Sequence, residues 1–121
     1  MNSRILIVDD DPDMVEIIQA YCEREGFQVA TARSREEADQ QLVHFTPDVI
    51  VLDIMLGEDN GIEWCQAVRD STRALIIFLS SREEDEVKIR ALSDGGDDYV
   101  TKPFSPKVLM AKIKAHLRRT S

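Results

Sequence analysis

Five short runs of apolar, largely β-branched or aromatic residues punctuate the chain: Ile5 to Val8, Phe27 to Ala30, Val49 to Leu52, Ala74 to Leu79, and a brief one around Tyr99-Val100. The first, third and fourth are continuously apolar rather than alternating, which suits strands covered on both faces, as in a parallel sheet. Helical patterns fill the gaps. Asp11-Pro12 offers a cap followed by proline at the first helical position, then Met14, Ile17, Ile18, Tyr21 and Cys22 recur at helical spacing until Gly26. Ser34-Arg35-Glu36-Glu37 has the form of a capping box, and Asn60 caps a third helix with Ile62, Cys65 and Val68 inward. A fourth helix is predicted from about Glu83 to Asp94, stopping at Gly95-Gly96. Ser105-Pro106 opens a fifth, with Leu109, Ile113 and Leu117 on one stripe.

The order is βα repeated five times. Parallel strands need right-handed crossovers, so the helices fall on both faces of an open sheet, a doubly wound α/β fold. Ligands in such sheets bind outside the carboxyl ends of the strands. The residues there carry charge. Strand one ends in Asp9-Asp10, strand three in Asp53, strand four in Ser80-Ser81, and strand five leads to Lys102-Pro103.

Gathered on one edge, three carboxylates are costly. Two unit charges about 4 Å apart repel by roughly 4 kcal/mol at an effective dielectric near 20. The group must hold a proton, pair with Lys102 or bind a cation, and all-oxygen donors suit Mg²⁺. Asp53 then reads as a nucleophile that forms an aspartyl phosphate, with Mg²⁺ held by Asp10 and Asp53 and met by Asp9 mostly through water. Lys102 meets one phosphoryl oxygen and the Ser80 hydroxyl another. Singly, each residue has a plainer reading: Asp11 as a helix cap, Asp97 and Asp98 as turn residues, Lys102 as a surface charge. Only the joint placement points to chemistry.

Composition narrows the classes. The chain has 121 residues, enough for one core and too few for two. It has no apolar run long enough to span a membrane and no leader pattern at Met1-Asn2-Ser3-Arg4, so a cytoplasmic location and no membrane partner are expected. A net charge of −8 argues against direct nucleic-acid binding by this unit. Cys22 and Cys65 fall on apolar helix faces and read as buried thiols, and His44 and His116 as isolated.

Three motifs together resemble the receiver domain of two-component response regulators over essentially the whole chain. They are Ile5-Leu6-Ile7-Val8-Asp9-Asp10-Asp11, Val51-Leu52-Asp53-Ile54-Met55-Leu56 with Gly61 eight residues after Asp53, and Gly96-Asp97-Asp98-Tyr99-Val100-Thr101-Lys102-Pro103-Phe104. The resemblance implies a flavodoxin-like (βα)5 sheet of strand order 2-1-3-4-5 in three α/β/α layers. It spans residues 1–121, with a core over about 3–119 and a linker to an absent effector domain beginning near 120. It further implies that a sensor histidine kinase supplies the phosphoryl group and that the Met55 main-chain carbonyl is a metal ligand, Mn²⁺ substituting for Mg²⁺. Lys102-Pro103 would be joined by a cis bond, and Ser80 and Tyr99 would form a switch pair. Lys102-Pro103-Phe104-Ser105-Pro106 and the helix after it are similar to the OmpR/PhoB subfamily. That similarity implies a homodimer through helix four, strand five and helix five, and DNA contact only through a further C-terminal domain.

Three departures qualify the match. Gly57 stands where the family usually has proline, which predicts a looser loop after Asp53. Ser80 replaces the commoner threonine. Val108 and Lys112 stand where an acid and an arginine usually make intersubunit ion pairs, which predicts a weaker or altered dimer. The nearest enzymatic alternative, a haloacid dehalogenase-like phosphatase, needs a second Asp two residues after the nucleophile. Met55 is there instead, so a phosphoacceptor with slow self-dephosphorylation is expected rather than an enzyme that turns over.

Overall fold

A computed structural model describes residues 2–120. β1 (Arg4–Val8), β2 (Gln28–Ala32), β3 (Val49–Asp53), β4 (Leu75–Ser80) and β5 (Asp98–Thr101) form one sheet in the order β2-β1-β3-β4-β5, every neighbouring pair parallel. α1 (Pro12–Arg24), α2 (Arg35–His44), α3 (Gly61–Val68), α4 (Asp85–Ser93) and α5 (Pro106–Thr120) connect and follow them. The doubly wound sheet is the one expected from the alternation of patterns. Among the described residues, no helix is long and apolar enough to cross a membrane.

The helix starts are where their capping chemistry puts them. The Asp11 carboxylate accepts from the Asp13 N–H at 3.0 Å, and the Asn60 side-chain oxygen accepts from the Ile62 N–H at 2.7 Å. Ser34 Oγ accepts from the Glu37 N–H at 3.1 Å, but Glu37 reaches back to the Arg33 N–H rather than to that of Ser34. Gly26, at φ 86°, makes the left-handed turn after α1.

Strand alternation divides the interior into two cores. Leu6, Val8, Ile50, Leu52, Ile76 and Phe78 face α2, α3 and α4, against Ala38, Trp64, Cys65 and Ala91. Ile5, Ile7, Val49, Val51, Ile77 and Leu79 face α1 and α5, against Ile18, Cys22, Leu109 and Ile113. Every residue of β3 is buried, because its neighbours β1 and β4 pair along both sides and helices cover both faces.

Several details differ from the sequence expectation. Ile17 is exposed, at 45%, since the buried stripe of α1 runs through Val15, Ile18 and Cys22. β2 begins later and extends to Ala32, where pairing with β1 continues to Val8. A two-residue hairpin, Met55–Leu56 against Asp59–Asn60, occupies the loop after β3. Trp64, completely buried, donates its indole N–H to Asp39 at 2.8 Å and ties α3 to α2.

His116 is not isolated. Its Nε2 lies 3.0 Å from Asp98 Oδ2, and Lys112 Nζ lies 3.4 Å from the same oxygen. Asp98 therefore fastens α5 to β5 rather than lying loose in a turn. Asp97, likewise, accepts from the Ile76 N–H at 2.8 Å and pairs with Arg69.

Burial pushes the Asp98 carboxyl up, but the His116 ring, the Tyr99 amide and Lys112 together hold it below its ordinary value of 3.8. A folded-state value lowered in this way gives stability that is fully present above the unfolded value and lost as the pH falls through the folded one. Asp98→Asn is thus expected to lower stability at neutral pH, with the gap closing below about pH 4. Urea melts of both proteins across this range check it, and a gap that widens in acid contradicts the assignment.

Candidate functional site

The carboxyl edge of the sheet is where backbone geometry delivers side chains from separate parts of the chain. β1 runs into Asp9 and Asp10, β3 ends on Asp53, and Lys102 follows β5. Asp9 and Asp53 are 1% and 6% exposed, so both carboxylates are largely withdrawn from water, whereas Asp10 is exposed. One carboxylate oxygen from each of the three lies within 4.8 Å of the others.

The fixed contacts around them are few and specific. Lys102 Nζ donates to Asp53 Oδ2 at 2.8 Å and to Asp9 Oδ2 at 3.3 Å. The second oxygen of Asp53 accepts from the Met55 N–H at 3.0 Å, and that of Asp9 from the Asp11 N–H at 2.9 Å. Asp10 Oδ2 accepts from the Gly57 N–H at 2.9 Å. A proline at 57 has no N–H to give, so glycine there, at φ 60°, provides a tie to Asp10 that proline could not.

The charges are unbalanced. Burial, reinforced by the charge of Asp53, pushes the Asp9 carboxyl up to about 6, against the opposing pull of the Asp11 amide and Lys102. Burial pulls the Lys102 ammonium down, but the Asp53 and Asp9 carboxylates outweigh it and hold the group above its ordinary value. One ammonium pairs with two of the three carboxylates, so the site is short of positive charge and suited to a hard cation.

Ser80 is buried on β4, beside β3, and its Oγ accepts from the Arg82 N–H at 3.0 Å. It has no side-chain hydrogen bond to the three carboxylates. Tyr99 is half-buried against the α2–α3–α4 core and donates its hydroxyl to the Arg82 carbonyl at 2.8 Å. One peptide-bearing residue, Arg82, thus touches both Ser80 and Tyr99. The Met55 side chain is exposed, with its main chain in the small hairpin. The Lys102-Pro103 bond is cis.

Gly61 explains how α3 starts so close to the site. A Cβ there would lie 2.3 Å from the Asp53 main-chain oxygen, while the Gly61 N–H donates to Ile54 at 2.6 Å. The resemblance to the receiver motif singles out this glycine in the sequence, and the close approach gives the reason for it.

The family profile of the response regulator receiver domain matches residues 5–114. The chain belongs to the response regulator receiver family. This receiver domain is 43% identical over 120 residues to the transcriptional regulatory protein YvrH of Bacillus subtilis, covering 98% of the chain and 51% of YvrH. It is 41% identical to the phosphate regulon transcriptional regulatory protein PhoB of Escherichia coli, covering all of the chain and 54% of PhoB. Its relatives place it with the OmpR/PhoB-type regulators, and it spans about half the length of those curated relatives. The crystal structure of a two-component response regulator from Clostridium difficile superposes with a TM-score of 0.96 at 34% identity, covering 99% of each chain.

Proposed function

We propose that this receiver domain accepts a phosphoryl group from a sensor histidine kinase onto Asp53, beside bound Mg²⁺, and converts the change into altered contacts at α4, β5 and α5. The observation that carries the reading is the meeting of Asp9, Asp10 and Asp53 with a single ammonium at the sheet edge. The donor set fits the ion: oxygen ligands only, close together, with negative charge in excess. Asp9, Asp10, Asp53 and the Met55 main-chain carbonyl are the groups that would hold Mg²⁺, or Mn²⁺ in its place. Bound there, the cation supplies neutralisation of charge on the transferring group and its acceptor.

The chain's own residues do the rest. One Asp53 oxygen forms a bond to phosphorus while the bond from phosphorus to the donor histidine nitrogen breaks, and that nitrogen keeps the electron pair. Lys102, already against Asp53, offsets charge on a phosphoryl oxygen as a point charge. Ser80 gives up the Arg82 N–H that it accepts and donates its hydroxyl to a second phosphoryl oxygen. Tyr99, held to the same Arg82, responds by turning inward. Met55 offers no acid or base to drive hydrolysis, which supports a signalling role without steady turnover.

The curated relatives, named as transcriptional regulatory proteins and about twice as long as this chain, support an output through a further domain. By the OmpR/PhoB resemblance that domain is C-terminal and binds DNA, with homodimerisation across α4, β5 and α5 as the transmitted change. DNA contact then belongs to that domain and not to this acidic chain. The setting of such a phosphorelay is the cytoplasm.

Incubation with acetyl phosphate and Mg²⁺, read by intact mass, tests the central step. The parent chain is expected to gain one phosphoryl group and Asp53→Ala none. Equal labelling of both proteins would remove Asp53 from the role.

A further inference from the structure

The last turns of α1 and one face of α5 enclose a cleft of about 470 Å³. None of its lining residues belongs to the acidic cluster. Arg24, Lys107, Lys114 and Arg118 line it, against one carboxylate, Glu25, which is itself paired with Lys114. Lys107 is exposed and has no ion-pair partner among the described residues. Met110, Ala111 and Tyr21 add apolar and aromatic lining, and the Arg24 guanidinium lies 5.2 Å from the centre of the Tyr21 ring.

Charge makes this cleft unusual for its chain. A net charge of −8 repels anions at a distance, yet here cations converge on one concavity with apolar lining. Solvation alone is better served by cations spread over the convex surface. The volume lies within the range of about 300–1,000 Å³ typical of small-molecule sites. That is more room than a bare phosphate fills.

We infer that the cleft is a second ligand site, for a phosphorylated small molecule with an aromatic part, by chemical class a nucleotide. Lys107 and Lys114 meet the phosphates. The base lies on the Tyr21–Arg24 pair, since phenol rings and guanidinium planes both stack on nucleobases. The site is independent of phosphoryl transfer and shares no residue with it.

The test is titration of the isotopically labelled chain with ATP in magnesium-free buffer containing a chelator, followed by amide NMR. Pyrophosphate serves as the phosphate-only arm, adenosine as the base-only arm, and an acidic peptide as the rival occupant. ATP is expected to move the signals of Tyr21, Arg24, Ala111 and Lys114 and to leave those of Asp9 and Asp53 in place, with Kd below about 1 mM. Pyrophosphate and adenosine are each expected to bind at least about tenfold more weakly. Arg24→Glu with Lys107→Glu should abolish the shifts in a chain whose circular dichroism is unchanged, and Lys107→Gln alone should weaken binding about threefold or more. Stationary signals up to about 10 mM ATP, shifts that survive charge reversal, pyrophosphate binding as well as ATP, or tighter binding of the peptide would each overturn the assignment.

Discussion

Replacing Lys102 with methionine is expected to cost the metal-free protein about 3 kcal/mol and to slow phosphoryl uptake on Asp53 roughly a hundredfold. The ammonium bridges two carboxylates that are almost wholly buried, 2.8 Å from one and 3.3 Å from the other. Methionine fills similar space but leaves both negative charges facing each other without compensation. The kinetic loss follows from the proposed role of the same ammonium, which would face the charge that develops during transfer. Urea melts in chelator, repeated in Mg²⁺, separate the two contributions. Mg²⁺ should stabilise Lys102→Met more than the parent, because a divalent ion restores the missing positive charge. Equal stabilisation of both proteins, or a loss under about 1 kcal/mol in chelator, would show that Lys102 is not what keeps the carboxylates together.

Gly61→Ala should have an effect of similar size by another route, about 3 kcal/mol of lost stability. The new methyl would meet the Asp53 main-chain oxygen at 2.3 Å and the Ile54 Cα at 3.0 Å. Both are backbone atoms and cannot swing aside, so α3 must move or β3 must bend. Either displaces the peptide that carries Asp53, and a shift near 1 Å at a reacting group costs on the order of a hundredfold in rate. Uptake measured by intact mass should therefore fall together with the urea midpoint. Wild-type uptake and stability in this variant would mean that the contact relaxes at no cost.

Much of this was readable beforehand, because the strands are buried on both faces and their ends are polar. Continuous apolar runs such as Val49 to Leu52 leave few alternatives to a central parallel strand, and the residue after such a run has to emerge at the sheet edge. Asp9, Asp10, Asp53 and Lys102 are legible for that reason. Ser80 is legible as a strand end, but its hydrogen bond to the Arg82 N–H depends on how the following turn folds back. The contacts missed join residues far apart in sequence without a periodic signature. Asp39 and Trp64 belong to different helices, and Asp98 reaches His116 only because α5 crosses β5 at a particular height. The Gly57 tie to Asp10 has the same origin, since it uses a backbone N–H that no apolar or charge pattern announces.

The complete enclosure of β3 bears on how the site endures thermal motion. Its amides are expected to exchange only when the central sheet itself comes apart, which puts Asp53 on a slowly opening segment. Asp10 and Gly57, out in water, can separate and rejoin many times within one such lifetime. In the proposed role, a carboxylate on that buried segment beside an exposed neighbour would let an ion come and go without unmaking the anchor.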